Sequence, residues 1–185
     1  MGEIHSATPV KLFVGVLTSC PRLLIKVEAC LSGLFGVIDL RSTIYPFDNT
    51  HYYDDEMGIP IKRCFLGFSN LILPDKVCWA KRRTNEIEQE FANEGYGVKR
   101  PVNLDPGYVE LSKVVLASTK NFYHRLYLSE GIYGEVTLHY ESGAWRPFPW
   151  TFPDFKSGRY DDYFLELRVL YRDELKRAQV ERGFA

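Results

Sequence analysis

The order of strand and helix signals over residues 11–105 restricts this chain more than any other feature. "KLFVGVL" (11–17) is a short apolar run of strand-forming residues bounded by polar ones, as a buried strand would be. "TSCPRLLIKVEACLSG" follows at once and reads as a helix. Thr18 or Ser19 can cap its free N–H groups, Pro21 suits the first turn, and Gly33 can end it. Leu23, Val27, Cys30, Leu31 and Leu34 then share one face. A second strand, "GVIDLRSTIYPF", alternates apolar and polar residues, so one of its sides is the wetter. A third, about Ile59 to Leu73, leads into the helix "DKVCWAKRRTNEIEQEFANEG", which Asp75 can cap and Gly95 can close. "RPVNL" supplies a fourth strand. The order β-α-β-β-α-β predicts an α+β fold with a ferredoxin-like core, two helices covering one face of an antiparallel sheet.

The second half extends that core. "HRLYL" and "IYGEVTLHY", joined by Ser129, Glu130 and Gly131, predict a hairpin in which Arg125 faces Glu135 and Tyr127 faces Tyr133. Leu126, Leu128, Ile132, Val136 and Leu138 would then share its apolar side. "VELSKVVLAST" fits neither the strand nor the helix period cleanly. "YDDYFLELRVLYRDELKRA" spaces Phe164, Leu167, Tyr171 and Leu175 as a terminal amphipathic helix. No repeat or linker divides the chain, so one domain over residues 1–185 is expected.

Charge and cysteine content remove several classes. With 23 basic and 24 acidic residues the chain has no global field to recruit nucleic acid, so RNA or DNA binding would need a local patch. Cys20, Cys30, Cys64 and Cys78 form no C-x-x-C pair, which argues against structural zinc and for reduced thiols in a cytosolic protein. The apolar runs are too short for a membrane helix. No G-x-x-x-x-G-K-[ST] loop, G-x-G-x-x-G, G-x-S-x-G or H-E-x-x-H occurs, which disfavours P-loop GTPases, Rossmann dehydrogenases, α/β-hydrolases and zincins.

Five stretches hold residue types that could do chemistry. "YPFDNTHYYDDEMG" (45–58) groups four carboxylates around His51, enough for a divalent cation or for proton transfer, or else a solvated loop whose tyrosines pack. Glu56 and Tyr53, nearest the next strand, are its functional candidates. Lys81, Asn85 and Glu88, at i, i+4 and i+7, project together from one side of a helix and could clamp a polar ligand, or form a solvated face. "NLDPGY" suits a type II turn that would put Asp105 at a strand end. "STKNFYHR" offers Lys120, His124 and Arg125 as a phosphate or carboxylate subsite, although Arg125 could instead only neutralise Glu135. "WRPFPWTFPDF" crowds aromatics among prolines, as hydrophobic cover over a core edge or as a stacking surface.

In order, "YYDDEMG", "NLDPGY", "VLASTKNFYHRLYL", "GIYGEVTL" and "WTFPDF" resemble the bacterial DUF4416 family of unknown function over nearly the whole chain. The resemblance implies a bacterial cytosolic source and brings no assigned activity or catalytic residue with it. Members are sometimes labelled GTP-binding, which no phosphate loop here supports.

The leading expectation is a protein that binds or acts on a small anionic metabolite or nucleotide. Lys120, His124 and Arg125 would hold the anion, with Glu56, Asp105 or Glu135 as base or ligand to a divalent cation. The alternative is an RNA-binding or protein-interaction module built on the sheet. Whether Glu56, Asp105 and His124 converge decides much between them.

Overall fold

The computed structural model describes residues 2–183, with side chains as far as 178. Among these residues the chain is α+β, with a nine-stranded antiparallel sheet and five helices. Strand β1 (Val10–Thr18) is fully buried, and helix α1 (Leu24–Phe35) leads from it to β2 (Ile38–Arg41) and the two-residue β3 (Tyr45–Pro46). A short helix α2 (Asp54–Met57) precedes β4 (Lys62–Ile72), and α3 (Lys76–Asn93) crosses to β5 (Val102–Val109). Then come β6 (Lys113–Ser118), β7 (Leu126–Ser129), β8 (Ile132–Glu141), β9 (Ala144–Pro147), the short α4 (Pro153–Lys156) and α5 (Asp161–Gly183). The strands lie in the order β2-β4-β1-β5-β6-β8-β7, with β3 beside β4 and β9 beside β8.

Strand alternation sends the side chains of the central strands into two cores. Leu12, Val14, Val16, Cys64, Leu66, Phe68, Val102 and Leu104 pack under α1 and α3. Phe13, Phe65 and Val109 face the other way, against Phe155, Tyr160, Tyr163, Phe164 and Leu167 of α4, α5 and the turn between them. The central strands are thus covered on both faces, and their near-continuous apolar character follows. Lys11 shares the α5 face and is fully buried, donating to Asp39 at 2.6 Å, Glu174 at 2.7 Å and the Phe68 carbonyl at 2.9 Å.

Five local expectations need correction. "NLDPGY" is not a turn: Asp105, Pro106 and Gly107 pair with Gly15, Val14 and Phe13 in mid-strand. Turn chemistry is overridden because Pro106 lies where β5 has not yet met β6, whose pairing begins only at Gly107↔Leu116. Gly107 is needed for close approach. A Cβ there would strike the Val115 carbonyl oxygen and come within 2.7 Å of the Phe13 ring.

The hairpin keeps Tyr127 opposite Tyr133, but Ser129 pairs with Ile132. Its loop is therefore only Glu130 and Gly131, both at positive φ, as a tight two-residue hairpin turn requires. Leu126 and Leu128 are exposed rather than core-facing, because β7 is the outermost strand and no layer packs over it. Lastly, Asp75 makes no side-chain cap, and α1 runs through Gly33 to end before Gly36, whose φ of 97° suits glycine.

Candidate functional site

The sheet forks between β5 and β6, and the fork creates the principal cleft. From Gly107 to Val109 the two strands pair, but residues 102–106 have no strand partner on that side, while Ala117 and Ser118 continue beside β8. An unpaired strand edge exposes backbone N–H and C=O groups that need partners. Helix α3 supplies them at Leu104, whose N–H donates to Glu88 Oε1 at 2.8 Å and whose carbonyl accepts from Lys81 Nζ at 2.7 Å. Pro106, two residues on, turns the same edge outward and has no N–H to satisfy. The i, i+7 pair Lys81 and Glu88 therefore clamps the chain's own backbone, and Asn85 between them lies outside the clamp.

The cleft encloses about 500 Å³, and the fork forms its floor. Asp105 stands at the centre. Its Oδ2 accepts from Asn103 Nδ2 at 2.7 Å, and its carboxylate lies 3.7 Å from both Lys81 Nζ and Arg63 Nη2. Asn103 in turn accepts from Arg100, whose guanidinium also donates to Glu88 at 2.8 Å. Burial raises the Glu88 pKa, and Lys81, Arg100 and the Leu104 N–H partly offset that.

Arg63 reaches the floor from β4 by crossing β1 over Gly15, where a Cβ would come within 3.2 Å of its Nη1. Its guanidinium lies 5.0, 5.5 and 5.8 Å from the ring centres of Phe47, Phe65 and Phe155. Asp154 is 3.4 Å away and accepts the Tyr160 hydroxyl at 3.2 Å, yet Arg63 Nε has no hydrogen-bond partner. Burial alone would lower the Arg63 pKa, and the carboxylates of Asp154 and Asp105 more than reverse this.

One wall comes from β6, β8 and the loop before β7. Glu135 is almost fully enclosed, and its Oε2 lies 2.9 Å from both Arg125 Nε and His124 Nε2. Arg125 Nη1 also donates to Ser118 Oγ and the Lys120 carbonyl, both at 2.9 Å. Trp150 stacks on His124 and donates its Nε1–H to the Val136 carbonyl, fixing the aromatic segment against this wall. Tyr52, Tyr53 and Phe152 line the aromatic parts of the cleft. Tyr53 has its phenol pushed up to about 12, by burial first and by Asp105 second. Lys120 at the mouth lies over the Tyr52 ring and donates to its hydroxyl at 3.1 Å; among the described residues no carboxylate pairs with it.

Of the residues singled out in the sequence, Tyr53, Lys81, Asp105, Lys120, Arg125 and Glu135 line this one cleft. His124 does not line it and stands behind Glu135. Glu56 does not join them: with Asn85 and Glu88 it lines a separate shallow groove of about 340 Å³. Arg100 borders both and lies 3.8 Å from Glu56. The acidic tyrosine loop bends into α2, with His51 Nδ1 2.8 Å from Asp54. Among the described residues no three His, Cys, Asp or Glu side chains cluster as a metal site would require. The sequence did not single out Arg63, Arg100 or Asp154. The available signal was Arg63 as a charge leading the apolar run "CFLGF", and Gly15 as a gap inside "KLFVGVL".

The family model described as "Domain of unknown function (DUF4416)" matches residues 8–171, and the chain belongs to that family. No curated protein and no solved structure matches it. Among the described residues no helix is long and apolar enough to cross a membrane, and all four cysteines are free.

Proposed function

We propose that this protein binds, or acts on, a small anionic metabolite or nucleotide in the cleft at the fork, in the bacterial cytoplasm. One observation supports this above the others. A chain of net charge −1 gathers Arg63, Lys81, Arg100, Lys120 and Arg125 around one cleft against Asp105, Glu135 and Asp154. Glu88 offsets Arg100 from outside, so the excess positive charge resides at Lys120, the cation held only by a phenol. A cleft with low-dielectric walls focuses such a charge on an entering anion.

The core that carries the cleft is proposed to be ferredoxin-like. The neighbours β2-β4-β1-β5, with α1 and α3 connecting β1 to β2 and β4 to β5 on one face, support this finer description. An RNA-binding mode that stacks bases on an open sheet draws less support, since helices cover both faces of those strands.

The test is a thermal-shift screen of the full chain with nucleotides, phosphorylated metabolites and simple anions, because a ligand that binds only the folded state raises its melting temperature. At least one anionic class should stabilise the wild type and fail to stabilise Lys120→Ala. A flat response to every anion would refute the proposal.

A further inference from the structure

The cleft has a second pole that restricts its ligand beyond charge. Of its three carboxylates, Glu135 and Asp154 are 1% and 6% exposed, and Glu135 Oε1 is buried without a partner, whereas Asp105 is 28% exposed and the most accessible to a new partner. A carboxylate offers acceptors alone, so whatever meets Asp105 must present an O–H or N–H. The surroundings decide which. Lys81 and Arg63 both lie 3.7 Å from Asp105, and with Arg100 they are matched by the enclosed carboxylates Asp105, Asp154 and Glu88, while the exposed Glu56 lies 3.8 Å from Arg100 in the separate groove. The floor is therefore already neutral, and an ammonium seated there would be an unmatched cation in a partly desolvated site, which is costly. A hydroxyl adds a donor without adding charge.

Resting on the anionic reading above, we infer that the ligand is an anionic polyol. It carries a phosphorylated or carboxylated sugar unit, free or within a nucleotide, with its anionic group at Lys120 and a hydroxyl on Asp105. Tyr52 and Phe152, exposed beside the cleft, would cover the ring or stack on an attached base. Asp105 is then the specificity-determining residue, and Asn103 positions it through the 2.7 Å hydrogen bond.

Calorimetric titration of the full chain with ribose 5-phosphate, adenosine 5′-phosphate, O-phosphoethanolamine and inorganic phosphate tests this. Both sugar phosphates should bind roughly tenfold or more tightly than phosphoethanolamine and phosphate, the scale of one hydrogen bond to a charged group. If adenosine 5′-phosphate alone is favoured, the source is a nucleotide; equal binding of the two points to the sugar phosphate itself. Asp105→Asn, near-isosteric, should lose the preference while keeping the affinity for phosphate, and Lys120→Ala should lose both. Should phosphoethanolamine match ribose 5-phosphate on the wild type, the polyol assignment falls while the anionic reading survives. If no phosphate-bearing probe binds, both fall. The wild-type comparison holds even where a variant folds poorly.

Discussion

Lys11 and Arg63 stand on adjacent strands, on the same face of one sheet, and both are cations enclosed by aromatic and aliphatic side chains. Their partners differ. Every donor of Lys11 has a partner at 2.6 to 2.9 Å, two of them carboxylates, in a contact sealed by α5. Arg63 faces its carboxylates at 3.4 and 3.7 Å and leaves Nε without a bond, at the edge of a cleft. The Lys11 ammonium uses every donor in holding the fold, although Glu174 Oε2 beside it is buried without a partner, whereas the Arg63 guanidinium keeps a donor unused at the edge of a cleft. That difference separates structure from site in this molecule better than sequence spacing does.

The sharpest way to break the comparison is Lys11→Ala. It strands Asp39 and Glu174 against each other under α5 and should lower the unfolding free energy by about 3–5 kcal/mol in urea denaturation. Arg63→Met keeps the aromatic packing. It should cost less, about 3 kcal/mol at the low end of that range, because Asp105 keeps Lys81 and Asn103 and Asp154 keeps the Tyr160 hydroxyl, and it should fall chiefly on the response to ligand. Equal losses from the two substitutions would erase the distinction.

The smallest effect lies at Tyr53. Its phenol is pushed up from its ordinary value to about 12, by burial first and by Asp105 second. Folding therefore makes it hold its proton more tightly, so its contribution to stability is complete below pH about 10 and is lost as pH rises towards about 12. In an NMR titration, Asp105→Asn should lower that pKa only partway, because burial is the larger cause. A return to the ordinary value would mean that the carboxylate, not burial, governs the phenol.

The α+β class and the type of several elements were legible where one layer decided them. "KLFVGVL" reads as a buried strand and is one, and the two amphipathic helices were recognisable from their apolar stripes. "NLDPGY" misled because its turn chemistry is local, whereas its conformation is set by β1 on one side and by the absence of β6 on the other. Leu126 and Leu128 misled because alternation reports which residues share a face, not whether anything packs on it. The Lys81 and Glu88 spacing was visible, but its target, the backbone of Leu104, lies 16 residues beyond Glu88. Arg63, Gly15 and Asp105 form a line across three strands, and no single segment contains it.

The Lys11 cluster also fixes how far along the sequence the fold must reach. Of its two carboxylate partners, Asp39 lies 28 residues away and Glu174 lies 163 residues away, in α5. Closing so long a loop costs entropy that a local contact does not, so this contact raises the contact order on which folding rate depends and couples the docking of α5 to strand β1.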